Sequence, residues 1–191
     1  MGRLRLIGAI VFALLIIMAM WLGLQAGMKG FKVSDISMLP TVHPGDRIVV
    51  NKLAYTFGDI ERGDIIVFFS PLYSKDLIKR VIAIPGDRVE VKGGKVYVNG
   101  SAVEEPYIWQ SPGYLMREQT IPADNYFVLG DNRNHSDDSH KGWHVERGFI
   151  VGKAWILYWP PRRWQLIQHQ PSGLEKIDDS PSGAPLLLNS N

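Results

Sequence analysis

From Leu6 to Met28 the chain carries no charged residue, and Leu6 to Leu24 (LIGAIVFALLIIMAMWLGL) is almost wholly apolar. At about 1.5 Å of rise per residue, a helix of this length crosses a hydrocarbon core of about 30 Å. A cleaved secretory signal is the alternative. Its apolar region is usually shorter, and only a weak pattern of small residues comes after this one. The run therefore reads as a retained transmembrane anchor. Arg3 and Arg5 precede it and Lys29 and Lys32 come after it, so the balance of cations favours a cytoplasmic amino terminus by little.

Beyond the anchor, a chain of 191 residues has room for one ordinary domain. The net charge of +2, with its cations scattered, speaks against a nucleic-acid partner. Cysteine is absent, which excludes thiol nucleophiles, disulfide scaffolds, zinc fingers and lipidation of a lipoprotein type near Leu24-Gln25-Ala26-Gly27. Past residue 30 the texture is one of short strands. Runs at 47–51, 64–69, 77–84, 88–92, 95–98, 101–104, 126–129 and 152–158 are β-branched or aromatic and bounded by turn residues. Gly93-Gly94 and Asn99-Gly100 accept positive φ at both central positions and predict tight hairpins. The same region has no helical period of useful length and no repeat. The tail is rich in Pro, Ser, Gly and Asn and reads as disordered. The expected organisation is a cytoplasmic stub and anchor at 1–28, a mostly β domain at 29–168 and a tail at 169–191.

Three segments carry chemistry. The strand Asp76-Leu-Ile-Lys-Arg-Val-Ile-Ala-Ile84 puts Leu77, Lys79, Val81 and Ala83 on one face and Ile78, Arg80, Ile82 and Ile84 on the other. A strand apolar on both faces is buried on both, yet this one holds two adjacent cations. Arg80 stays charged and must reach solvent or a carboxylate. Lys79 can lose its proton, because desolvation disfavours the ammonium form. It is then either the neutral amine that a general base requires, or a lysine that snorkels to a sheet edge beside an acid. Ser37 lies in Asp35-Ile-Ser-Met-Leu-Pro-Thr41, where Pro40 prevents a helix. It is a candidate nucleophile or a mere turn cap. The nearby His43 sits on a turn with nothing to orient it and takes a surface role. Finally, a strand ending at Gly130 opens into Asp131-Asn-Arg-Asn-His-Ser-Asp-Asp-Ser-His140, a polar turn suited to orienting other groups. It could equally be a solvated loop. His135, His140 and His144 with Asp137 or Asp138 match no tight zinc spacing, so no metal is expected.

In order and spacing, SMLPT at 37–41, RGDIIVF at 62–68, LIKRVIAIPGD at 77–87 and YFVLGDNRNHSDDS at 126–139 resemble the boxes of bacterial type I signal peptidases. The resemblance covers roughly residues 33–155. It implies coiled antiparallel β-sheets carrying a Ser–Lys peptidase, anchored in a plasma or thylakoid membrane and facing the exported side. By position, Ser37 is the nucleophile and Lys79 the base, and Ser136 helps orient the lysine. Asp138 is the acid of the last box, and Gly130, Asp131, Asn132 and Arg133 are its structural turn. The Ser37 backbone N–H would serve the oxyanion hole. The implied partners are the lipid bilayer and preprotein signal peptides, bound as an added strand. Their small side chains would sit in apolar pockets near Val33, Ile36, Met38, Leu77 and Ile78. No metal or organic cofactor is implied.

Two positions depart from the resembled pattern. Asp35 stands where many such proteins have Ser or Gly, and that Ser helps form the oxyanion hole. An ionised carboxylate there would repel an oxyanion, so Asp35 is expected to face a cation or solvent. His140 stands where Arg usually pairs with the box acid. Two rivals remain: a specialised peptidase of the conjugative-pilin processing type, and a non-catalytic, membrane-anchored binding homologue.

Overall fold

The computed structural model describes residues 7, 10–18, 23, 27–56 and 58–169. Residues 10–18 are α-helical, and Phe12, Leu14 and Ile17 are among the apolar side chains they expose. Among the described residues no helix is long and apolar enough to cross a membrane. Much of the expected anchor, the stub at 1–5 and the tail from 170 lie outside the described residues.

The described residues past this helix form twelve strands: β1 (Met28–Lys32), β2 (Arg47–Asn51), β3 (Ile65–Ser70), β4 (Lys75–Ala83), β5 (Arg88–Lys92), β6 (Lys95–Val98), β7 (Ser101–Ala102), β8 (Met116–Thr120), β9 (Asn125–Leu129), β10 (Val145–Glu146), β11 (Ile150–Trp159) and β12 (Gln165–Leu166). The larger sheet runs β1-β2-β11-β3-β4-β9-β10, with β12 paired to β11, and the smaller runs β7-β6-β5-β8. Every pairing is antiparallel. The expected mostly β architecture of antiparallel sheets is therefore present, with β1, β8, β10 and β12 added to the strands legible in the sequence. Both predicted hairpins close as anticipated: Gly93 and Gly94 have φ of 57° and 72°, and Asn99 and Gly100 have 51° and 82°.

Alternation explains how β3 is covered. Ile65 and Val67 point into one core with Val33, Met38, Val42, Ile48 and Ala154, while Ile66 and Phe68 point into another with Leu77, Val81, Tyr126 and Val128. With both faces buried, β3 reads as an unbroken apolar run rather than an alternating one. β4 pairs with β3 over most of its length, Lys79 opposite Ile66 and Arg80 opposite Ile65. Between Val81 and Ala83 its register to β9 slips by one residue. That bulge ends the predicted two-face pattern. Ile82 and Ala83 both enter a third core, shared with Val89, Val91, Val96 and Val98 of the smaller sheet. β4 thus joins the two sheets, and Phe127 of β9 is fully buried in the same core.

Truncating Phe127→Ala leaves a cavity at that junction that the two sheets cannot both collapse to fill. The expected loss of stability is about 3–5 kcal/mol, read from urea unfolding of the full chain.

Candidate active site

Lys79 stands on the face of β4 that alternation assigns it, 1% exposed, and its Nζ donates a 2.7 Å hydrogen bond to Ser37 Oγ. Ser37 is buried too, in the turn between β1 and β2. Of the two readings open for Lys79 in the sequence, the snorkelling one is not what the structure has: the amine is buried and, among the described residues, forms no ion pair within bonding distance. Burial pushes the Lys79 amine below its ordinary value of 10.5, outweighing the upward pull of Asp35, Asp138 and Asp137. Its neighbour Arg80 points the other way and takes a carboxylate. Its Nε and Nη2 bind the two oxygens of Asp131 at 2.8 Å each, its Nη1 reaches the Gly63 carbonyl at 3.0 Å, and its guanidinium lies 3.9 Å from the Tyr107 ring centre.

The same Asp131 accepts a hydrogen bond from Thr41 Oγ1. The turn after β9 grips the serine loop elsewhere as well. The Asn132 N–H donates to the Ser37 carbonyl at 2.9 Å, and Asn132 Nδ2 to that of Ile36 at 3.1 Å. The approach is close enough to demand glycine at 130, where a Cβ would lie 2.4 Å from the Ser37 carbonyl oxygen. Asp138 caps the short 3-10 helix Ser139–Lys141 and accepts from the Gly130 N–H at 2.9 Å. Its other oxygen meets His140 Nδ1 at 2.6 Å, and the imidazole stacks on Tyr114 with ring centres 4.1 Å apart. Histidine therefore does occupy the place of the expected arginine partner. Arg133 is buried on a bidentate pair with Glu105, at 2.6 and 2.5 Å. Ser136 is buried close to Gly130, and its Oγ has no hydrogen-bond partner among the described residues, Lys79 included.

Asp35 overturns its expectation. Its carboxylate turns onto the serine itself, Oδ1 accepting the Ser37 N–H at 3.0 Å and the Ser37 hydroxyl at 2.6 Å. The turn makes this the shortest path, because an Asx side chain readily reaches the backbone N–H two residues on. Burial raises the Asp35 carboxyl, but its bonds from Ser37 and the charges of Lys79 and Lys75 outweigh that and hold it below the usual carboxylate range.

A cavity of about 270 Å³ opens onto the pair, lined by Asp35, Ile36, Ser37, Tyr73, Lys75, Leu77, Lys79, His135 and Asp137. Of the apolar residues expected near a substrate, Ile36 and Leu77 face it. Val33, Met38 and Ile78 lie behind, in the core beneath the serine loop. His43 is exposed, its backbone N–H bonded to Asp46 at 2.8 Å. Sequence reasoning passed over Lys75, Tyr73 and Glu105. The two-residue period from Lys79 through Leu77 points to Lys75, whereas Tyr73 and Glu105 sit in loops without a periodic signal. Among the described residues no cluster of three His, Asp or Glu could hold a metal ion.

A family model described as signal peptidase, peptidase S26, matches residues 3–159. A signal peptidase I of Leptolyngbya laminosa is 44% identical over 144 residues, covering 71% of this chain and 71% of that one. Thylakoidal processing peptidase 1 of Arabidopsis thaliana is 38% identical over 142 residues, covering 69% of this chain and 42% of that one. The solved structure of a signal peptidase I from Enterococcus faecalis V583 aligns at 32% identity and a TM-score of 0.45, covering 50% of this chain and 97% of that one.

Asp131→Asn keeps the shape of the side chain but strands the Arg80 charge in the interior. A destabilisation of about 3–5 kcal/mol is expected by urea unfolding, the magnitude of a broken buried pair. Glu118→Gln, at a loose and half-exposed contact with Arg88, serves as the control and leaves the midpoint where it is.

Proposed function

The chain belongs to the signal peptidase family, peptidase S26, and on that premise we propose that it is a membrane-bound serine endopeptidase that removes signal peptides from exported preproteins. Ser37 is the nucleophile and Lys79 the general base. The observation that carries this reading is the 2.7 Å bond between the Lys79 amine and the Ser37 hydroxyl, formed where burial disfavours the ammonium ion.

The chemistry is that of the pair. Neutral Lys79 takes the hydroxyl proton as Ser37 Oγ attacks the scissile carbonyl. The resulting ammonium returns a proton to the departing amine, leaving an acyl-enzyme. The departing amine is the new N-terminus of the mature protein, and water, deprotonated by the same Lys79 amine, then hydrolyses the ester and releases the signal peptide. An extended peptide enters the cavity as an added strand, with Ile36 and Leu77 offering apolar surface to the small side chains before the cut. Asp131, Arg133 and Asp138 hold the turn that grips the serine loop, and Ser136 fills the space between that turn and Gly130. The sequence calls for one anchor at 1–28, and the exposed apolar side chains of residues 10–18 support it. The β domain at 29–168 then lies on the exported side of a plasma or thylakoid membrane, and the tail is 169–191. Asp35, bound to the nucleophile, favours one rival, a binding homologue without catalysis.

The test uses purified full chain in detergent and a preprotein with an Ala-X-Ala site. The parent is expected to cut after the second Ala, and Ser37→Ala and Lys79→Ala to lose about 10²–10⁴-fold or more in kcat/KM. A precursor left whole by the parent supports the binding homologue instead. Activity should also rise with pH. Below its folded pKa Lys79 is an ammonium and cannot accept the proton, above it the amine can, and burial places that midpoint under the ordinary lysine value of 10.5. A kcat/KM that shows no rise with pH anywhere below the ordinary lysine value would rule out the lysine base.

A further inference from the structure

Ser37 has two hydrogen-bond donors, its backbone N–H and its hydroxyl, and both point to one oxygen of Asp35, at 3.0 and 2.6 Å. The N–H is the group that an acyl transfer needs for its developing oxyanion. The hydroxyl proton is the one that the base must remove. A hydroxyl carries a single hydrogen, and an ionised carboxylate can only accept. With that hydrogen on Asp35, the 2.7 Å contact to Lys79 is one in which the lysine donates. The pair is thus in contact but faces the wrong way for proton transfer from serine to lysine.

We propose that Asp35 is a positioning residue that latches the empty site, its carboxylate oxygen standing in for the oxyanion until the scissile carbonyl of a bound peptide displaces it. The proposal rests on Ser37 and Lys79 being the reacting pair. Displacement frees the N–H for the substrate oxygen and lets the hydroxyl turn to the amine. Asp35 lines the cavity and is only half buried, so a path outward to solvent is open to its side chain. The carboxylate acts a second time through charge, drawing Lys79 toward the protonated state that cannot accept a proton. Other charges face the pair: Lys75 from β4, and His135, Asp137 and Asp138 from the turn after β9, with Tyr73 donating to Asp137 at 2.5 Å. All of them stay in place when residue 35 alone is changed.

The test compares the full chain in detergent with Asp35→Asn and Asp35→Gly, using the Ala-X-Ala precursor across pH and side-chain NMR of labelled lysines, with Lys79→Ala assigning the signal. Asp35→Asn removes the charge and Asp35→Gly the whole latch. The expected results are kcat/KM at neutral pH raised about tenfold or more in Asp35→Gly, and in part in Asp35→Asn, chiefly through kcat. The acid limb and the Lys79 titration should both move to lower pH. If Asp35→Gly melts early through loss of the turn, Asp35→Asn decides. A parent that cuts while both folded variants cut no faster, or a Lys79 midpoint that stays put in Asp35→Asn, overturns the latch and leaves the dyad standing. A precursor that none of the three proteins cuts overturns the dyad reading and the latch together.

Discussion

The site depends on one buried ion pair. Arg80 and Asp131 are both fully buried, and taking two charges out of water is expensive unless geometry repays it. Here it does: two parallel N–H to oxygen bonds of 2.8 Å join planar groups, the backbone of Gly63 takes a third donor, and Thr41 supplies a further bond to the carboxylate. Three stretches distant in sequence meet at that carboxylate: the serine loop, β4 and the turn after β9. Lys79 is the residue before Arg80, so on a strand its side chain must leave by the opposite face. Locking Arg80 therefore aims Lys79. Thr41 closes the loop that carries Ser37, so the same oxygens that neutralise Arg80 also help set the height of the nucleophile.

The pair also divides labour between two adjacent cations. Arginine keeps its charge anywhere in a protein, and the fold provides a full countercharge for it. Lysine can give its charge up, and the fold provides it with a hydroxyl. Asp35, Asp137 and Asp138 stand close enough to pull the amine upward but none bonds to it, so burial wins. Had Asp131 faced Lys79 in place of Arg80, an ammonium ion would have been secured and the base lost.

The sequence made visible what periodicity and turn chemistry control. The two hairpins, the apolar strands and the opposed faces of Lys79 and Arg80 come from alternation and from glycine or asparagine at positive φ. Less visible was whatever depends on a partner strand or a local slip. β8, Met-Arg-Glu-Gln-Thr, has no apolar period because it is a largely exposed strand paired to β5, with Met116 alone of its five residues packed against the core. The bulge after Val81 puts Ile82 and Ala83 into one core, against strict alternation. Met38, Val33 and Ile78 sit beside site residues in sequence yet below them in space, because the serine turn folds down onto the sheet. Arg133 drew attention for its place in the polar turn, but its partner Glu105 lies in a loop that no pattern marks.

The two departures from the resembled boxes both sit beside carboxylates that act on the amine. Asp35 adds a carboxylate near it, and His140 takes the place of an arginine as the partner of Asp138. Asp35 leaves more negative charge around Lys79 than a serine there would, and both carboxylates draw its proton affinity upward. Burial must then carry most of the task of freeing the amine, with the charge of Lys75 adding a smaller push. It succeeds because β4 is buried from Leu77 to Ala83 and the serine loop closes over the Lys79 amine. In this chain the packing of the sheet, more than the polar groups around the lysine, determines whether the base is a base.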